Sequence, residues 1–127
     1  MSVLISFLLL WFGLAEPEEV ATELETVVFE QVADPVDRWR PLVEEHFPAD
    51  EIDTALCIIR HESGGDPEAD NPRSSATGLV QILAGPWGEH YGVTEEQFLD
   101  PELNTRLARD IWDQSGWRAW TTHRLCD

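Results

Sequence analysis

The amino-acid sequence predicts a mainly α-helical single domain, and three observations carry that expectation. Apolar residues recur at spacings of three and four in separate segments after residue 35, as on helices that bury one face. Proline, glycine and aspartate stand between those segments, where helices begin and end. No repeat and no convincing alternation of apolar and polar residues is present. With 127 residues the chain holds one domain at most, long enough to bury a real core.

The first segment, VLISFLLLWFGLA from Val3 to Ala15, has no charge but is shorter than the roughly 20 residues a membrane-spanning helix needs. It reads as a signal peptide. Gly13-Leu14-Ala15 offers small residues where a signal peptidase cuts, and the chain then turns acidic. Because no basic residue precedes the apolar run, a short membrane anchor and a buried core segment are the alternatives. Residues 16–34, EPEEVATELETVVFEQVAD, carry many acids, no base and no clean apolar period. They read as an acidic linker, with a short helix over Glu23 to Val32 as the alternative. Residues 35–127 are expected to form the folded domain.

In PVDRWRPLVEEHF, Val36, Trp39, Val43 and Phe47 share one helix face, with Asp34 as cap and Pro48 as stop. Asp50 is expected to cap a second helix, EIDTALCIIRHES, with Ile52, Ala55, Leu56 and Ile59 as its core stripe. Gly64-Gly65 ends it, since glycine accepts left-handed backbone angles. Asp66 to Ser75 is a loop of turn formers. A short apolar stretch, ATGLVQIL, is closed by Ala84-Gly85-Pro86, and a loop bearing Trp87 and Tyr91 follows. Thr94 is expected to cap a turn with Gln97 at its third position. Asp100-Pro101 then opens the last helix, PELNTRLARDIWDQSG, whose Leu103, Leu107, Ile111 and Gln114 share a face.

Acids outnumber bases, 25 to 8, and every base is an arginine. A phosphate polyanion would meet repulsion over such a surface, so nucleic acid is excluded as a partner. The acidity otherwise reads as solubility in a salty medium or a habit of the host. Cys57 and Cys126 lie near the ends of the folded region, and in an exported chain a disulfide is the natural reading. Such a crosslink stabilises by roughly 4 kcal/mol in the chain-entropy picture. A buried Cys57 thiol with a free Cys126 is the alternative.

RHESGGDP, Arg60 to Pro67, raises the question of chemistry. A zinc-protease helix needs a second histidine four residues after the first, and that position is Gly65. His46, His90 and His123 lack ligand spacing, so no metal is expected. Asp66, Glu68 and Asp70 alternate as in a calcium loop, but Asn71 and Thr77 replace the glycine and glutamate it requires. They read as solvated loop acids. Glu62 ends an apolar helix, and a carboxyl group partly stripped of water holds its proton towards neutral pH, as a general acid must. A surface glutamate at a helix terminus is the competing reading.

ALCIIRHESGGDP, SSATGLVQI and DPELN, in that order, closely resemble the successive motifs of the soluble lytic transglycosylase family, goose-type relatives of lysozyme that cleave peptidoglycan. The likeness runs from about Trp39 to Trp120. It implies a lysozyme-like helical fold, no cofactor, and peptidoglycan glycan strands as the partner of a monomeric enzyme. By position, Glu62 matches the family's catalytic acid and Ser63 its companion hydroxyl. Gly78, Leu79, Gln81 and Ile82 match the segment lining the cleft floor, where Gln81 would contact sugar. Trp87 falls where the family often has a tryptophan, and Asn104 matches the asparagine of the third motif. The ending GWRAW resembles actinobacterial and phage members, in which a nearby cysteine often pairs back to the catalytic helix. Val80, Ala84 and the absence of a late tyrosine depart from the pattern, as does Cys57, within the helix rather than beside the glutamate.

The reaction the resemblance implies needs one carboxyl group. Glu62 protonates the glycosidic oxygen after muramic acid, then takes the proton from that sugar's C6 hydroxyl as it attacks C1, leaving a 1,6-anhydro end. Hydrolysis, with Asp66 or Asp70 activating water, is the alternative, and a glycan-binding module without turnover is the third reading. Trp87, Tyr91, Trp117 and Trp120 offer flat faces for sugar, with core packing as the competing role, favoured for Trp39, Trp112 and Trp120. Arg60 and Arg73 would soften the acidity near the motifs. The expected location is secreted or in the cell envelope, or on a phage virion, with transient membrane association through residues 3–15.

Overall fold

The structure is a computed structural model that describes residues 34–127. The leader over 1–15 and the linker up to residue 33 lie outside the described residues. Among the described residues no helix is long and apolar enough to cross a membrane. Asp34 is the first described residue: its Oδ1 accepts the Val36 N–H at 2.8 Å and its Oδ2 pairs with Arg60.

A 3-10 turn over Asp37–Trp39 leads into α1, Arg40–His46, which ends at Phe47 because Pro48 follows in extended backbone. Asp50 does not cap the next helix. Residues Ala49–Glu51 form a 3-10 turn that runs straight into α2, Ile52–Glu62, and no side chain caps it. Ile52, Ala55, Leu56 and Ile59 form the buried stripe of α2 as the spacing predicts, and Ile58 adds to it. Gly64 and Gly65 turn the chain with φ of 64° and 89°. At Gly65 a Cβ would lie 2.6 Å from the Pro35 carbonyl oxygen, so the chain crossing there leaves no room for a side chain.

The apolar stretch holds a feature the sequence did not announce: β1, Ala76–Thr77, and β2, Ile82–Leu83, pair antiparallel with Ala76 opposite Leu83 and Thr77 opposite Ile82. Strands of two residues are too short to show alternation. A second correction concerns Ala84-Gly85-Pro86. Rather than closing a segment they form the first turn of α3, Ala84–Tyr91, so Trp87 and Tyr91 are helical residues four apart and not loop residues. Proline is tolerated there because N–H groups of a first turn have no intrahelical acceptor. Gly92, with φ of 68°, ends α3.

Thr94 and Gln97 make the expected reciprocal cap: the Thr94 N–H donates to Gln97 Oε1 and the Gln97 N–H to Thr94 Oγ1. Asp100 caps α4, Pro101–Ser115, by accepting the Glu102 N–H. Leu107 and Ile111 of α4 are buried and Leu103 partly so. Gln114 is exposed instead, its amide donating to Asp110. Two 3-10 turns, Gly116–Ala119 and Thr121–Leu125, carry the tail back against α2. There Cys57 and Cys126 form a disulfide with a Cα–Cα distance of 5.7 Å. The core gathers Val43, Phe47, Ile58, Ile59, Leu79, Ile82, Ala84, Phe98, Ile111 and Trp120 from the four helices, the hairpin and the turns that join them.

Candidate active site

Glu62 is the last residue of α2, half-buried where the helix meets the returning tail. Burial disfavours its charged form and pushes its pKa up; a hydrogen bond from Thr122 and the charge of His61 offset this in part. The Thr122 hydroxyl donates to Glu62 Oε1 at 2.8 Å, across 60 residues of sequence. Thr122 is absent from the sequence reading. No motif marks it, and its distance along the chain hides it.

Ser63 does not present its hydroxyl to a ligand. Its Oγ donates to the Leu79 carbonyl at 2.6 Å and accepts the Gly65 N–H, tying the end of α2 to the hairpin turn. Asn104 likewise turns inward. It is fully buried; its Nδ2 donates to the Thr77 and Phe98 carbonyls and its Oδ1 accepts the Val80 N–H at 2.8 Å. These bonds consume both amide hydrogens and occupy the oxygen, so Asn104 shapes the hairpin rather than touching sugar. Gly78 completes the fit: with φ of +84°, a Cβ there would lie 2.4 Å from Asn104 Nδ2. The family-like pairing of Gly78 with Asn104 thus has a packing reason.

Gln81 adopts φ of 53°, unusual for a residue with a side chain, and its Nε2 donates to the Ala69 and Gly78 carbonyls at 3.0 Å. With both hydrogens spent, Oε1 is the group left for a ligand. Gln81 lines a small groove with Ile82, Leu83, Trp87 and Trp120. Leu83 is 43% exposed, an apolar wall of that groove which the sequence did not single out. Trp87 and Tyr91 stack with ring centroids 5.7 Å apart, one turn of α3 apart. The Tyr91 hydroxyl donates to Asp110, and burial together with that carboxylate pushes its pKa up to about 12, so the phenol stays neutral.

The other tryptophans have structural partners. Trp120 is buried and its indole N–H donates to the Val80 carbonyl. Trp117, weighed for sugar contact, instead stacks on Phe47 at 5.3 Å and donates its N–H to Glu51. Trp39 donates to the Gly65 carbonyl, and Trp112 packs edge-on against Phe47. Arg60 is spent on Asp34, which removes it as a counter-charge for the cleft. Asp66 and Asp70 are exposed, Asp66 accepts the Glu68 N–H, and neither perturbs Glu62.

Two trios of metal-ligating side chains have their atoms within 4.8 Å among the described residues. Cys57, His61 and Cys126 form one, but its sulfurs are joined in the disulfide. Glu45, His46 and Glu102 form the other, where His46 Nε2 already meets Glu102 Oε1 at 2.8 Å. Neither contains Glu62.

A half-buried carboxyl at the end of a helix, its pKa raised by burial, suits acid-assisted cleavage of a sugar chain. The family model described as transglycosylase SLT domain matches residues 44–115, from α1 to the end of α4. Comparison with curated proteins and with solved structures returns no match. The matched span covers more than half of the chain and carries Glu62, the hairpin and Asn104 together, and on that ground this chain belongs to the SLT transglycosylase family, with its lysozyme-like helical fold.

Proposed function

We propose that this domain is a peptidoglycan lytic transglycosylase with Glu62 as its general acid and base. The observation that carries the reading is the state of Glu62: half-buried, raised in pKa by desolvation, and among the described residues with no second carboxylate acting on its charge. Glycosidases that work with two carboxyl groups place them about 5 Å apart when retaining and farther apart when inverting. A lone carboxyl suits a substrate that brings its own nucleophile.

In the proposed reaction the Glu62 proton passes to the glycosidic oxygen as the bond to muramic acid C1 breaks. The Glu62 carboxylate then takes the proton of that sugar's C6 hydroxyl while its oxygen bonds to C1. The proton lost in the first step is regained in the second, and no water is consumed. Gln81 Oε1, Trp87 and Tyr91 are the proposed sugar contacts, for their position along the groove and the α3 face. The leader over residues 1–15 and the linker after it would deliver the domain to the cell envelope, where the substrate is.

Mass spectrometry of the soluble products from purified peptidoglycan tests this, with Glu62→Gln alongside. Anhydromuropeptides from the wild type and none from the variant are expected. Products one water heavier would make the enzyme a hydrolase and require a second carboxylate. Glycan retained but never shortened would reduce the domain to a binding module.

A further inference from the structure

The tail beyond the family match is fastened at two points with Thr122 between them. Before it, Trp120 is buried at 5% exposure and its indole N–H is anchored on the Val80 carbonyl. After it, Cys126 is bonded to Cys57, which lies on α2 itself, upstream of Glu62. The intervening 3-10 turn is further closed by the His123 N–H and Nδ1, both directed at the Trp120 carbonyl. The tail is therefore a strap across the end of α2, and the one hydroxyl it sends to the acid is that of Thr122, 2.8 Å from Glu62 Oε1.

Building on the reading of Glu62 as acid and base, we propose that Thr122 is a positioning residue: delivered by the Cys57–Cys126 strap, its hydroxyl occupies Oε1 and so assigns the transferable proton to Oε2. In a protonated carboxyl the carbonyl oxygen is the better acceptor, so a donor held on Oε1 favours the tautomer with the proton on the other oxygen. Oε2 then gives the proton to the leaving oxygen and, as part of the carboxylate, recovers one from the C6 hydroxyl. The same oxygen serves both steps without rotation of the side chain.

The charged surroundings of Glu62 are simple. On its own helix His61 is the only group whose charge acts on it. The hairpin from Ala76 to Leu83 has no titratable residue. On the strap, His123 Nδ1 is engaged with the Trp120 carbonyl, and Arg124 Nε with the Thr121 carbonyl. Asp66, just beyond α2, accepts the Glu68 N–H. Loss of the Thr122 donor therefore removes the largest influence that favours the Glu62 carboxylate, and Glu62 keeps its proton to higher pH.

The test uses the full chain as wild type, Thr122→Val, Thr122→Ser, and Cys57→Ser with Cys126→Ser. Rates of peptidoglycan cleavage are measured against pH, and the Glu62 carboxyl is titrated by carbon NMR, assigned with Glu62→Gln. Thr122→Val is expected to lower the rate about tenfold, a fraction of what a general acid contributes, and to move the alkaline limb of the profile to higher pH. Thr122→Ser should restore the wild-type profile. The chain without the disulfide should reproduce the shift, and adding Thr122→Val to it should move the profile no further. An unchanged profile in Thr122→Val, or in the chain without the disulfide, would overturn the inference. A wild type that cleaves nothing would instead remove the catalytic reading, and the NMR titration alone would then decide: an unshifted Glu62 in Thr122→Val overturns the placement, an upward shift upholds it.

Discussion

Replacing Asn104 by alanine separates a structural role from a sugar-binding one. In the wild type the side chain is fully buried and serves three backbone groups: the Val80 N–H, which it accepts, and the Thr77 and Phe98 carbonyls, to which it donates. Alanine leaves the Val80 N–H without that acceptor inside the core and deprives both carbonyls of a donor. An unmet buried group costs roughly 1–3 kcal/mol, and the N–H should lie at the upper end because Asn104 Oδ1 is its acceptor. Together the three make about 3–5 kcal/mol, a large share of the roughly 5–15 kcal/mol that holds a domain folded. For a domain of this size, 1 kcal/mol moves the melting temperature by about 4–8 °C, so a fall of about 12 °C or more is expected. Circular dichroism during heating, under conditions that keep the Cys57–Cys126 bond, reads it. Activity measured well below the lowered transition should stay within a few-fold of wild type. If Asn104→Ala melts within about 3 °C of wild type yet no longer cleaves glycan, the packing argument fails and Asn104 is a ligand after all.

Glu62 should make stability depend on pH in a direction opposite to that of a salt-bridged acid. Its pKa is raised by burial, so the folded chain binds the proton more tightly than the unfolded one, and stability falls as pH rises from the unfolded pKa through the folded one. Glu62→Gln removes that loss: thermal melts should show the variant gaining on wild type as pH rises from about 4 to about 8, and a constant difference would contradict the raised pKa. At the groove, Trp87→Ala removes a partly buried ring stacked on Tyr91. An aromatic contact is worth about 0.5–1.5 kcal/mol, so KM for glycan should rise up to about tenfold with little change in kcat. Equal proportional losses in a thermal melt and in the assay would make Trp87 a core residue instead.

What could be read along the chain was whatever repeats or is completed within a few residues. The faces of α1, α2 and α4 follow from spacings of three and four, and the Thr94–Gln97 cap is closed within one turn. RHESGG with the two later motifs was enough to single out Glu62. The hairpin escaped because two-residue strands have no period, and α3 because Gly85 and Pro86 read as breakers when they stand in a first turn, where the backbone tolerates them. Ser63 and Asn104 carry polar atoms that would serve a sugar or a backbone group equally well, and only the packing of the hairpin turn against α2 and α4 turns them inward. Thr122 is the extreme case. Its partner is 60 residues away, and what brings them together is the path of the tail, pinned by Trp120 and the disulfide. The sequence by itself therefore determined the faces of α1, α2 and α4 and singled out Glu62 as the candidate acid. The burial that raises the acid's pKa, and the hydroxyl that holds one of its oxygens, were decided by tertiary structure, because both depend on groups that chain order does not bring together.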